Sequence, residues 1–290
     1  MCVLEPSPPA VHDEPWFADD PTAPPDGPLE VVSPVTSGDL MWSEIDGVDP
    51  DWASERWLGP YKPLEPVPPT LGATCGALHA VAERVISPVR QRDNGKIGLR
   101  WTRGGFGTPF FGNDAQVRVE GAEIVVDTPA GERRHRLTTV RDAAATIGFD
   151  LDGADEERHG TPLEVDTTAA LFIGDWFGFV TSVLEQLRAE APPEWEPSRV
   201  QLWPEHFDIA VEIGNEGTER RAALGGSPGD GTHAGPYLYV APWTARPEGE
   251  LWQAQGFPGA ELSFSDLLSA RDQRALALEF FRIRLAALNA

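Results

Sequence analysis

The sequence predicts an α+β fold: antiparallel sheet meanders with a buried central helix and a C-terminal helix, preceded by a disordered or extended acidic, proline-rich arm. Three observations predict it. Short segments in which apolar residues alternate with polar ones fall into two groups, between about 97 and 138 and between about 200 and 253. Residues 168–189, between the groups, are the most apolar stretch of the chain. Fifteen of the 28 prolines lie in the first 69 residues. The chain therefore divides into an arm, 1–69, and a single α+β domain, 70–290.

The arm comes first. Residues 1–69 hold 14 of the 46 acids and only two bases, Arg56 and Lys62, and so carry −12 of the formal −23. Prolines remove backbone donors, and self-repelling charge with little apolar surface cannot offset chain entropy, so the arm is expected to be disordered to about residue 38. Beyond that, Met41, Trp42, Trp52, Trp57, Leu58 and Tyr61 supply enough aromatic surface to pack on the chain's own domain or on a partner. The charge disfavours nucleic acid and anionic lipid as partners. No stretch reaches 18 uncharged apolar residues, and the opening residues lack a basic and then apolar leader, so the protein reads as soluble and cytoplasmic. Cys2 and Cys75 make neither a disulfide framework nor a thiolate cluster.

In the domain, Leu71, Cys75, Leu78, Val81, Ala82, Val85 and Ile86 recur at three- and four-residue steps, one face of a helix ending near Ser87-Pro88. Cys75 belongs to that stripe and is expected as a small core residue. His79 lies one position off it and is expected to face a cleft or solvent. KIGLRWTR, FGTPFFG, QVRVE, EIVVDT and RRHRLTT form the first meander, with GGFG at 104–107 a tight turn between strands and PAGE a hairpin turn. RDAAATIG reads as a short helix and GADEERHG as a surface loop. Asp175, Gly174 and Gly178 in the apolar stretch favour a core helix over a membrane span. VQLWPEHFDIAVEIG, RRAALGG, PYLYVAPW and ELWQ form the second meander. The closing helix, from about Ser265 to Leu288, is interrupted near a Ser269–Asp272 capping pair.

The stretch 206–213 is the most informative for function. As a strand it sends Phe207, Ile209, Val211 and Ile213 to one face and His206, Asp208, Ala210 and Glu212 to the other. Tyr237 and Tyr239 share a face in PYLYV. Neighbouring strands would gather an imidazole, two carboxylates and two phenols on the face away from the core. Such a group binds a small polar ligand, or supplies a general base, His206, oriented by Asp208 or Glu212. The same pattern is also what the wet face of any antiparallel sheet shows. The glycine-rich loop 225–235 adds Asp230 and His233 as ligand-binding candidates and is either a plain turn or a mobile cover. These residues carry metal-ligating atoms, but no metal motif spacing accompanies them, so no metal is assigned and the cofactor stays unknown. Arg100, Arg103, Arg118, Arg133, Arg134 and Arg136 make the first meander locally basic, with partners expected inside the chain, the acidic arm included.

ALHAVAERVISPVR, RWTRGGFGTPFFG, VRVEGAEIVVDTPAG and LWPEHFDIAV follow in an order that resembles a bacterial family of uncharacterised proteins, a domain of unknown function, across residues 70–243. The resemblance implies a fold plan and brings no activity. The expected function is that of a cytoplasmic domain binding a small polar ligand or a protein partner. A hydrolase using His206 with Asp208 or Asp230 is one alternative, with or without a metal. The other is an acidic arm that occupies a basic protein partner as a nucleic-acid mimic.

Overall fold

Leucines and small residues at helical spacing produce the first helix, α1 (Leu71–Val81), which buries Leu71, Thr74, Ala77, Leu78 and Val81. The computed structural model describes residues 63–290, apart from 103, 110–114, 129, 152–155 and 245–246 and the side chains of 93, 94 and 189. The arm to residue 62 lies outside the described residues. The helix does not end at Ser87-Pro88 as the sequence predicts. A π turn at Ala82–Ile86, closed by the Ser87 N–H on the Ala82 carbonyl, leads into α2 (Ser87–Asn94). Proline lacks an N–H and its ring needs clearance from the carbonyl four residues back, so a widened turn just ahead of Pro88 lets the helix run on.

Strands β1 (Arg100–Thr102), β2 (Gly105–Gly107), β3 (Gln116–Glu120), β4 (Glu123–Thr128) and β5 (Gly131–Arg136) pair in sequence order, each antiparallel to the next. On the outward side Arg118 donates to Asp127 (3.1 Å), Glu120 (3.1 Å) and Glu132 (2.7 Å), while Arg134 reaches Glu120 (2.8 Å) and Glu132. Both guanidinium groups are thus paired within their own meander. Next comes α3 (Val140–Ile147), whose Thr139 hydroxyl accepts the Asp142 N–H at 3.0 Å. The expected surface loop after it contains a helical turn, α4 (Glu156–His159), that buries His159.

Helix α5 (Thr167–Glu190) follows, capped by the Asp166 carboxylate on the Ala169 N–H at 2.9 Å. The second meander is β6 (Gln201–Trp203), β7 (Asp208–Ile213), β8 (Ala222–Ser227), β9 (Tyr237–Pro242) and β10 (Ala260–Ser263), again in sequence order and antiparallel. No strand forms at ELWQ, where Trp252 turns back to the Gly249 carbonyl at 3.1 Å; Ala260–Ser263 pairs with β9 instead. The closing helix is broken as expected, into α6 (Phe264–Ser269) and α7 (Gln273–Asn289). Their caps are Ser263 on the Asp266 N–H and Asp272 on the Ala275 N–H; the Ser269 hydroxyl turns back to the Ser265 carbonyl.

Among the described residues the meanders meet edge to edge at a single ladder pair, where Leu99 and Leu202 exchange both backbone hydrogen bonds, at 2.7 and 2.8 Å. Helix α5 packs against strands on both sides of this junction. Gly174 rests on the backbone of Gly104 and Gly105, where a Cβ would stand 2.5 Å from the Gly104 carbonyl carbon. Gly178 lies against the Trp101 indole, and Val180 fills the space above Gly226 of β8. Trp176, Phe177, Phe179 and Val183 are fully buried. By length and composition α5 is apolar enough to cross a membrane, but 78% of its most apolar window is buried inside the fold.

The close approach at Gly174 makes a stability prediction. Gly174→Ala forces helix and backbone apart and lowers unfolding free energy by about 1–3 kcal/mol. Gly76→Ala, on an open helix surface with nothing within 4 Å, raises it by about 0.4–1 kcal/mol. Urea midpoints of the two variants read the contrast.

Candidate functional site

An antiparallel ladder keeps directly opposed residues on one face, however many strands lie between them. Gln201, Ala210, Gly225, Tyr239 and Glu261 oppose one another in register across all five strands of the second meander. They lie on the face away from α5, together with Trp203, Asp208, Ser227 and Tyr237. Strands β7 and β9 are not neighbours, because β8 runs between them. Gly225 removes the obstacle: a Cβ there would sit 2.5 Å from both Cζ and the hydroxyl oxygen of Tyr239. The Tyr239 ring therefore crosses β8 and its hydroxyl donates to Asp208 Oδ2.

Asp208 is 7% exposed, and its Oδ1 has no hydrogen-bond partner among the described residues. Burial pushes its carboxyl above the ordinary carboxylate value, against the opposing effects of the Tyr239 hydrogen bond and the His206 charge. Burial, reinforced by Asp208, lifts the Tyr239 hydroxyl well above a free phenol.

The second half of the cluster is built on the β8–β9 loop. Asp230 Oδ1 accepts the N–H groups of Thr232 (2.6 Å) and His233 (2.8 Å), and Oδ2 accepts the Tyr237 hydroxyl at 2.6 Å. Burial pushes the Asp230 carboxyl up, but these donors together outweigh it and leave the net shift downward. The His233 ring stacks on Tyr237 with centroids 4.1 Å apart. Its Nδ1 lies 3.3 Å from Asp230 and its Nε2 3.1 Å from Glu261. Glu261 Oε2 also accepts the Gln255 N–H at 3.1 Å. Cys75 on α1 comes within 3.9 Å of the Gly229 carbonyl, and burial followed by the Asp230 charge pushes its thiol up to about 11. That leaves it a neutral thiol at neutral pH.

Of the residues named from sequence, Asp208, Tyr239, Tyr237, Asp230 and His233 come together on this face and its loop. His206 does not join them in the ladder. Strand β7 begins at Asp208, Phe207 sits at φ +54°, and His206 is left exposed in the turn with no side-chain hydrogen bond among the described residues. The positive φ is held by the core: the Phe207 ring stacks on His79 at 5.4 Å and meets Phe106 and Phe177 edge-on at 5.2 and 5.3 Å. His79 is thus half-buried against an aromatic ring instead of facing solvent. Glu212 also stands apart, paired with Arg221 at 3.2 Å two strand steps from Asp208. Sequence reasoning missed Glu261 and Gly225. A glycine pair inside a strand pattern was the available signal for the second. Among the described residues no three His, Cys, Asp or Glu side chains converge as a metal site.

The Gly225 contact can be tested by a mutant cycle. Gly225→Ala pushes Tyr239 off Asp208 and costs about 1–3 kcal/mol, as does Tyr239→Phe, which removes the donor. The double variant loses clearly less than the sum, because both changes break one hydrogen bond. Urea unfolding of the four proteins measures it.

No protein family, curated protein or solved structure matches this chain.

Proposed function

We propose that the chain binds a small polar ligand on the outer face of its second meander, and that binding, not hydrolysis, is its work. One observation carries the reading: a buried carboxylate, Asp208, with one oxygen satisfied by Tyr239 and the other without a partner among the described residues. An unsatisfied buried acceptor costs about 1–3 kcal/mol, and a ligand donor meeting Oδ1 offsets that cost. Entry proceeds by the Tyr239 ring swinging off Gly225, a movement that leaves the backbone ladder intact. Hydrolysis draws less support. Both nitrogens of His233 lie against carboxylates, and His206 has no hydrogen-bonded carboxylate to orient it.

Amide-resolved NMR titration with a set of small amines, amides and polyols tests the reading. At least one compound is expected to shift the amides of Asp208–Ala210, Ser227 and Tyr237–Tyr239, with the shift reduced in Asp208→Asn. A set in which no compound perturbs these strands contradicts it.

A further inference from the structure

A second cleft lies at the C-terminal end of α3, a helix packed beside the first meander. Gly148, at φ +71°, ends α3, and the N–H groups of Gly148 and Phe149 return to the carbonyls of Ala145 (3.2 Å) and Ala144 (2.9 Å). The reversal places Phe149 and Leu151 beside Ala144 in the lining of a cleft of about 310 Å³ that extends to α4. That volume is at the lower end for small-ligand sites, ~300–1,000 Å³. The Arg92 guanidinium stands 5.1 Å over the Phe149 ring and helps to hold it in place.

The polar groups of the cleft carry both signs. Arg141 Nη2 donates to the Glu156 carbonyl at 2.8 Å and lies 3.8 Å from the Glu156 carboxylate, an exposed and loosely spaced ion pair that leaves the rest of the half-exposed guanidinium fork to a ligand. His159 also lines the cleft. It is only 5% exposed, and its ring makes no hydrogen bond among the described residues. Asp150 and Glu156 supply the acids, Asp150 just past the C-terminal end of α3, where the helix dipole is negative.

We infer that this cleft, through the unpartnered ring of His159 and the opposed charges of Arg141 and Asp150 over an apolar lining, binds a small zwitterion of the α-amino-acid kind with an apolar side chain. The ligand carboxylate meets Arg141 and His159, a charge-assisted pairing that the guanidinium fork favours. The ammonium meets Asp150 at the negative helix end. The apolar side chain covers Ala144, Phe149 and Leu151. Net charge supports a zwitterion over a plain anion: a chain at −23 repels an approaching anion but not a molecule of zero net charge. The site does not depend on the outer face of the second meander.

Titration of the full chain with L-leucine, 4-methylpentanoate and 3-methylbutylamine tests the inference by NMR. Leucine is expected to shift the amides of 141–151 and 156–159 with a Kd at or below about 1 mM. Each truncated compound, lacking the amine or the acid, binds at least about tenfold more weakly. Arg141→Gln, a change at a half-exposed side chain whose effect on the fold is read from the same amide spectrum without ligand, weakens leucine by a similar factor. The inference is overturned by absence of any shift at about 10 mM leucine, by either 4-methylpentanoate or 3-methylbutylamine binding as tightly as leucine, or by leucine binding that Arg141→Gln leaves unchanged.

Discussion

Two successive glycines in the middle strand of the second meander set the geometry on both of its faces. In a pleated strand neighbouring residues point to opposite sides, so Gly226 looks toward α5 and Gly225 away from it. At Gly226 a Cβ would stand 2.5 Å from a methyl of Val180, and at Gly225 equally close to the Tyr239 ring. Bulk at the first position pushes the central helix off the sheet. Bulk at the second pushes Tyr239 away from Asp208. Core packing and the buried acid thus depend on one dipeptide.

The same device recurs at the junction of the meanders. Among the described residues one ladder pair, Leu99 just ahead of β1 with Leu202 of β6, joins the two sheets, which is too little to hold two five-stranded sheets in register. The helix supplies the rest, because Gly174 lets it touch the backbone of the first meander while Val180 engages the second. Aromatic side chains then fill the space that the glycines leave beside them: Trp176 stacks on Phe179 at 6.0 Å and meets Phe264 of α6 edge-on at 5.8 Å. An apolar helix that could span a bilayer by composition is consumed instead in joining two sheets.

Period-two alternation made the meanders legible, and it placed Asp208, Tyr237 and Tyr239 on one face because facing is preserved across any number of antiparallel strands. What alternation cannot show is the strand between them, or that a glycine in it lets a phenol reach across. His206 was misplaced for a definite reason. Phe207 adopts a positive φ that a bulky residue rarely takes, and the aromatic packing that sustains it is long-range. Glu261 arrives through β10, whose four residues alternate apolar and polar as a strand does but include no β-branched or aromatic side chain to draw attention to it, whereas ELWQ carries Trp252. The π turn before Pro88 was likewise invisible, since proline in a helical pattern reads first as a stop.

The charge distribution acquires a clearer meaning beside this geometry. The guanidinium groups of Arg118 and Arg134 are taken up by Glu120, Asp127 and Glu132 of the same meander. On the second meander and its loop, Tyr239 and Tyr237 hold Asp208 and Asp230, Arg221 pairs with Glu212 and His233 lies against Glu261; Asp208 is the one that burial sets apart. A carbon-13 titration of the Asp208 carboxyl, in the native chain and in Tyr239→Phe, tests this most directly. The account predicts a midpoint above the ordinary value of 3.8 in the native chain, moved further up when the phenol that favours the charged form is removed. A midpoint at or below that value, indifferent to Tyr239, would contradict it.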